Sequence, residues 1–299
     1  MLGTAVWPSG EVNPLLDRFR QGLAELGYVE GENIDLEIRS AEWNAARYPE
    51  LVADLVSLPV DVIVAGDSLV TPVIMQATNT IPVVMTSSGD PVRSGLVKSL
   101  ARPGGNLTGL SLMNPVLSGK RLEIMREVAP DMKHPAVLWN SAHPETQGEL
   151  QGIQDAADRF GVDLLSLAVQ RPEDFDKAFA TAIEAHADAI IVVADVLINS
   201  NSERIAQFAL DQGLPSIFHD RKFVEDGGLM SYGPERTQNY WRAATYVDRL
   251  IKGADPSVMP IEQPDRFQLI INQKTARQIA RPIPPALLLE AVEVLGRSE

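Results

Sequence analysis

Short apolar runs alternate along this chain with stretches of about 10–15 residues whose apolar positions recur at helical spacing. That rhythm predicts βα units around a mainly parallel sheet. Gly3-Thr4-Ala5-Val6-Trp7 reads as a first strand. Asn13-Pro14 then caps a helix running to Leu26, with Gly27 as its stop. Ile34, Leu36 and Ile38 alternate with Asp35 and Glu37, the pattern of a half-buried edge strand. Leu51, Val52, Leu55 and Val56 share a helix face. Residues 62–65 form a wholly apolar strand, after which Ser68 is expected to cap a helix through Ala77. Residues 83–85 and 107–110 supply two more strands, the latter entered through the turn Arg102-Pro103-Gly104-Gly105.

The same order then begins again. A helix is expected over 118–128, a strand over 136–139, a helix over 145–160 and a strand over 164–169. Pro172 opens a helix reaching Ala185, and 190–193 is the most apolar strand of the chain. Ser200 or Ser202 is expected to cap the next helix, which Gly213 ends. Short strands at 216–218 and 229–232, a helix over 238–251 stopped by Gly253, a strand over 267–271 and a helix over 272–279 complete the series, before a tail holding Pro282, Pro284 and Pro285. The two series change over near 110–115 without a residue-level repeat or a long linker. The expected architecture is therefore α/β: two Rossmann-like lobes with parallel sheets, joined by a short link and facing each other across a cleft.

The 299 residues supply enough apolar side chain for two such cores, at 45% hydrophobic and 22% charged. Asp and Glu number 40 against 26 Lys and Arg, a net charge of −14. That balance argues against nucleic-acid binding, which needs basic stripes to neutralise phosphate, and against a polybasic membrane surface. The lack of cysteine removes disulfides, thiolate metal sites and thiol nucleophiles together. His134, His143, His186 and His219 show no metal-ligand spacing, with His134 and His143 reading as turn residues before proline. No phosphate-cradling Gly-Lys motif is present, so neither a metal nor a cofactor is expected. No apolar run is long enough to span a bilayer, and the basic start and apolar core of a secretory leader are missing.

In open parallel sheets ligands bind beyond the carboxyl ends of strands. Those ends carry Ser9; Gly66, Asp67 and Ser68; Ser87 and Ser88; Asn140; Asp195 with Asn199; and Asp220 beside His219. Hydroxyls and helix-start N–H groups suit a carboxylate, while Asp195 and Asp220 suit an ammonium. The same residue types also serve as helix caps and turns. An enzymatic alternative rests on Gly66-Asp67-Ser68-Leu69 after a strand, which matches the turn of GDSL hydrolases. Ser68 would be the nucleophile, with Asp131 and His134 of Asp131-Met132-Lys133-His134 as its partners. In that family, however, the serine turn follows the first strand and the Asp–His pair lies near the C-terminus.

A broader resemblance spans nearly the whole chain. Its carriers are Phe19-Arg20-Gln21-Gly22-Leu23, Gly27-Tyr28-Val29-Glu30-Gly31, Ile81-Pro82-Val83-Val84, Gly89-Asp90-Pro91 and Ala101-Arg102-Pro103-Gly104-Gly105-Asn106-Leu107-Thr108-Gly109. They continue with Ser118-Gly119-Lys120-Arg121-Leu122, Ala136-Val137-Leu138-Trp139-Asn140 and Gly227-Gly228-Leu229-Met230-Ser231-Tyr232-Gly233. Together these segments resemble the ABC-transporter substrate-binding protein family of the type I periplasmic-binding fold, the group with tryptophan- and other aromatic-amino-acid-binding members. The resemblance implies lobes of 1–112 plus 233–262 and of 113–232 plus 263–299, with three hinge crossovers near 110–115, 232–234 and 261–265. It implies a monomer outside the cytoplasm that performs no chemistry and delivers a small carboxylate-bearing solute (an amino acid, aromatic or branched-chain, or an aromatic acid) to an ABC permease. On this sequence, Ser68, Ser87 and Ser88 would hold a ligand carboxylate, Asp195 or Asp220 would answer an ammonium, and Tyr232 would line the pocket. The ligand-sensing part of a regulator is a third expectation for such a fold, though no DNA-binding module is encoded in these residues.

Overall fold

The computed structural model describes residues 2–7, 14–42 and 44–296. Its elements run β1 (Leu2–Trp7), α1 (Pro14–Glu25), β2 (Leu36–Ser40), α2 (Tyr48–Ser57), β3 (Ile63–Ala65), α3 (Val70–Ala77), β4 (Val83–Ser88) and β5 (Leu107–Ser111). There follow α4 (Asn114–Val128), β6 (Pro135–Asn140), α5 (Pro144–Phe160), β7 (Leu165–Val169), α6 (Asp174–Glu184), β8 (Ala189–Val192), α7 (Val196–Asn199) and α8 (Ser202–Asp211). The chain closes with β9 (Ser216–Phe218), α9 (Arg221–Glu225), β10 (Met230–Pro234), α10 (Arg236–Ile251), β11 (Phe267–Asn272), α11 (Gln273–Gln278), α12 (Pro285–Glu290) and β12 (Glu293–Leu295). Two units result. Met1–Met113 joins Glu235–Asp265 in the first, and Asn114–Pro234 joins Arg266–Glu299 in the second.

In unit 1 the sheet order is β2-β1-β3-β4-β5, and every pairing is parallel. Strands β3, β4 and β5 are buried along their whole length, which is why they read as unbroken apolar or small-residue runs. Successive side chains serve opposite faces. Val62, Val64 and Val84 join Leu16 and Phe19 of α1 and Tyr240, Ala243 and Val247 of α10. Ile63, Ala65, Val83 and Met85 join Val52 and Leu55 of α2 and Val70 and Ile74 of α3. Helix α10, more than a hundred residues away in sequence, therefore completes the first core. Its contact with α1 is close: a Cβ on Gly22 would lie 2.5 Å from the Trp241 carbonyl oxygen.

Unit 2 carries the order β12-β11-β10-β9-β8-β6-β7. Read from its far edge, β7-β6-β8-β9-β10 repeats the order of unit 1, so the duplicated pattern is a duplicated topology. Strand β11 then runs antiparallel to β10, with Tyr232 opposite Leu269, and β12 adds a parallel edge. Val137, Ile191 and Ile217 pack with Leu122 and Met125 of α4 and Ile153 of α5. Leu138, Ile190 and Phe218 pack with Phe175 of α6, Ile205 of α8 and Phe223 of α9.

Several local expectations are corrected. Ser68 does not cap α3, because the Asp67 carboxylate takes the Leu69 and Val70 N–H groups at 2.8 and 2.9 Å. The aspartate one residue earlier takes both donors on a single oxygen, Oδ1. Neither Ser200 nor Ser202 caps α8: Ser200 donates to the Leu197 carbonyl and Ser202 to Asp226. The edge strand starts at Leu36, with Ile34 in an isolated bridge to Glu30. Short helices α7, α9 and α12 and strand β12 were too brief for periodicity to reveal. The expected cap Asn13 lies outside the described residues.

Candidate ligand-binding site

The carboxyl end of β3 in unit 1 is tied down by a buried polar stitch. Thr86 donates to the Ala65 carbonyl at 3.0 Å and Ser87 to the Gly66 carbonyl at 3.1 Å. Tyr240 of α10 also donates its hydroxyl to Gly66 and sits 3.2 Å from the Ser87 oxygen. Its neighbour Asn239 donates to the Thr86 carbonyl at 3.1 Å. Gly66 and Ser87 are thus held by α10, and Ser88 is fully buried. Asp67 is occupied too, since the Tyr48 hydroxyl donates to its second oxygen at 2.6 Å. Asp67 therefore acts as a helix cap and anchor rather than a charge offered outward. Ser68 differs: it is half-buried, and its hydroxyl makes no hydrogen bond among the described residues. Ser9 lies outside the described residues.

In unit 2 the strand order reverses between β6 and β8, the position where open sheets leave a crevice. Asn140 ends β6 and donates to Asp195 Oδ1 at 3.0 Å. The same oxygen takes the N–H groups of Leu197 and Ile198, capping α7. The other oxygen, Oδ2, lies 2.9 Å from His143 Nδ1. Three donors thus converge on Oδ1 of Asp195 and the His143 ring lies against Oδ2. Burial opposes charge on His143, but the hydrogen bond and charge of Asp195, with Glu145 and Glu149, outweigh it and raise the ring above its ordinary value of 6.5. Asn199 pairs its side-chain oxygen with His219 Nε2 at 2.7 Å. Asp220, at the end of β9, is half-buried and accepts the Lys222 N–H at 2.9 Å. The Tyr232 ring stacks on Phe267 with centroids 6.0 Å apart.

Unit 2 also holds a charged pair that no sequence pattern announced. Arg121 of α4 is 0% exposed and Glu149 of α5 is 1% exposed, with Nη1 3.6 Å from Oε2. Ser118 donates to that oxygen at 2.8 Å, and Arg121 Nε donates to the Tyr232 carbonyl at 2.8 Å. The Ala194 N–H, next to Asp195, points to Glu149 as well. Burial pushes the Glu149 carboxyl up, with Arg121 and Ser118 opposing; burial pushes the Arg121 guanidinium down, with Glu149 opposing.

The Asp131–His134 pair that a serine esterase would need is not formed among the described residues. Asp131 is bonded to Arg281 at 2.9 Å, which holds its carboxyl below the usual range. His134 is exposed and precedes β6, so it stands at the amino end of that strand. Ser68 belongs to the other unit and lies past a strand's carboxyl end. Among the described residues no group of three or more His, Asp or Glu is placed to hold a metal, and no helix is long and apolar enough to cross a membrane.

A family model described as ABC transporter substrate binding protein matches residues 13–295. The chain belongs to that family. A tyrosine-binding protein of Clostridioides difficile (strain R20291) is 25% identical over 271 residues, covering 89% of this chain and 78% of the relative. An ABC domain from Streptococcus pneumoniae solved in complex with L-Trp superposes with a TM-score of 0.90 at 25% identity, covering 99% of this chain and 100% of that one. A conserved domain protein of Vibrio cholerae gives a TM-score of 0.89 at 27% identity, with 98% of each chain covered. The fold is that of type I periplasmic binding proteins. The chain is thus the substrate-binding component of an ABC transporter. Its family is extracytoplasmic, binds small ligands and works with membrane permeases. It is a family of binding proteins, not of enzymes.

Proposed function

We propose that this substrate-binding protein takes a small carboxylate-bearing solute, an aromatic L-amino acid, and releases it unaltered to its permease. The observation that carries the reading is the chemistry at the strand ends. In unit 1 the Ser68 hydroxyl is left without a partner among the described residues while Gly66, Asp67 and Ser87 around it are held rigid. A solute carboxylate is a fitting acceptor for such a hydroxyl. In unit 2 the ammonium is taken by Asp220, a carboxylate just past the end of β9. Tyr232 and Phe267 offer an aromatic wall. The relatives named for tyrosine and solved with L-Trp favour an aromatic side chain over other amino acids. The protein acts as a monomer, without cofactor, metal or nucleic acid.

Isothermal calorimetry against amino acids, aromatic acids and sugars tests the reading. One-to-one binding of tyrosine or tryptophan is expected, with the amino acid recovered intact. Ser68→Ala should weaken that binding roughly five- to tenfold, the worth of one hydrogen bond. Asp220→Asn should cost about 1.5–3 kcal/mol, as expected for a charge-assisted one. Binding confined to sugars, or consumption of the solute, would refute the reading.

A further inference from the structure

His143 stands just past the end of β6, at the point where α5 begins. It is 4% exposed, and Nδ1 is fixed 2.9 Å from Asp195 Oδ2. Asp195 is itself immobilised by Asn140 and by the Leu197 and Ile198 N–H groups. A carboxylate in that position requires Nδ1 to carry a hydrogen, so any change of protonation falls on Nε2. Nε2 has no hydrogen-bond partner among the described residues, and it is not among the enclosed polar atoms left unpaired. It is therefore unbonded among the described residues without being wholly enclosed. The location is the strand-order reversal of unit 2, where open sheets take ligands.

We propose that His143 is a ligand-binding residue that donates Nε2–H to the carboxylate of the bound amino acid, so that binding draws a proton onto the protein. The inference rests on the amino-acid reading above and adds a contact and a pH dependence to it. The charged groups facing the ring are Asp195 at the start of α7 and Glu145 and Glu149 on α5, with Glu149 paired to Arg121 of α4. The excess of negative charge favours the imidazolium, which has a hydrogen on both nitrogens. A neutral ring would instead turn the Nε2 lone pair toward the solute's oxygen. Affinity should accordingly be highest with the ring charged and fall as pH rises through its pKa. A bound carboxylate should raise that pKa further.

The test combines calorimetry from about pH 6 to about pH 8.5 with an NMR titration of the His143 ring, using L-tyrosine and L-tryptophan as probes. Tyramine and tryptamine serve as counterparts lacking the carboxylate. Affinity for the amino acids is expected to drop on the order of tenfold across that range, with proton uptake seen as a buffer-dependent heat. The His143 resonance should titrate at higher pH when the amino acid is bound, and neither amine should move it. His143→Gln should flatten the pH profile. Should that variant fail to fold, the ring titration of the unaltered protein decides alone. Amino-acid binding that leaves the His143 titration unmoved overturns this inference and spares the proposed function. Absence of binding by either amino acid overturns both.

Discussion

The Arg121–Glu149 pair is the costliest arrangement at the residue scale. Two charges out of water are compensated only while both remain, together with Ser118 and the Tyr232 carbonyl. Glu149→Gln should therefore destabilise the protein by about 3–5 kcal/mol in urea unfolding, whereas the double change Arg121→Met with Glu149→Leu should recover most of that loss. His143 provides a second measurement. Its folded pKa lies above its ordinary 6.5, so its stabilising contribution is fully present below that value and is lost as pH rises through the folded pKa. The difference in unfolding free energy between the unaltered protein and His143→Gln should shrink between about pH 6 and about pH 9. A constant difference would mean that the ring's pKa is the same in the folded and unfolded protein.

The α4–α5 pair depends on a missing side chain at the scale of elements. A Cβ on Gly152 of α5 would stand 2.2 Å from the Pro115 carbonyl oxygen on α4, a clash with backbone that cannot rotate away. Gly152→Ala should cost about 1–3 kcal/mol and displace the helices that carry Glu149 and Arg121. Gly161 offers the contrast. It ends α5 at φ +64° with nothing near its missing Cβ, so Gly161→Ala should cost only about 1 kcal/mol of backbone strain. Thermal melts of the two variants separate steric contact from conformational strain. The short helices obey a common logic as well: Asp195 and Asp220 each end an extended segment and cap the turn that follows.

For the whole molecule, the chain passes between its units three times, so neither unit is one continuous stretch. One of the two faces of the unit 1 sheet lacks its core until α10 arrives with Tyr240, Ala243, Tyr246 and Val247. A fragment of residues 1–113 should remain unfolded by circular dichroism and proteolysis, and linking residues 235–265 to it should restore a cooperative melt. The same geometry explains why Tyr240 and Asn239 escaped notice in the sequence. They serve the β3 and β4 ends from 153 or more positions away. Ligand binding should raise the melting temperature, by about 2.7 kcal/mol of added stability at a hundredfold excess over Kd.

Periodicity alone determined the βα alternation, its restart and the places where strands end, because burial of one face or two imposes a spacing on local residues. The quoted segments pointed in the same way to the family. Which strand-end side chains are bonded within the chain was decided only by the tertiary structure. Asp67, Asp195 and Ser68 are alike in sequence as polar residues after apolar strands. Asp195 is consumed by Asn140 from 55 positions away and by His143, Asp67 by Tyr48, and Ser68 by none of the described residues. Hydrogen bonds between distant segments leave no period in the chain, so the roles of His143, Arg121 and Glu149 could be read only where the fold brings them together.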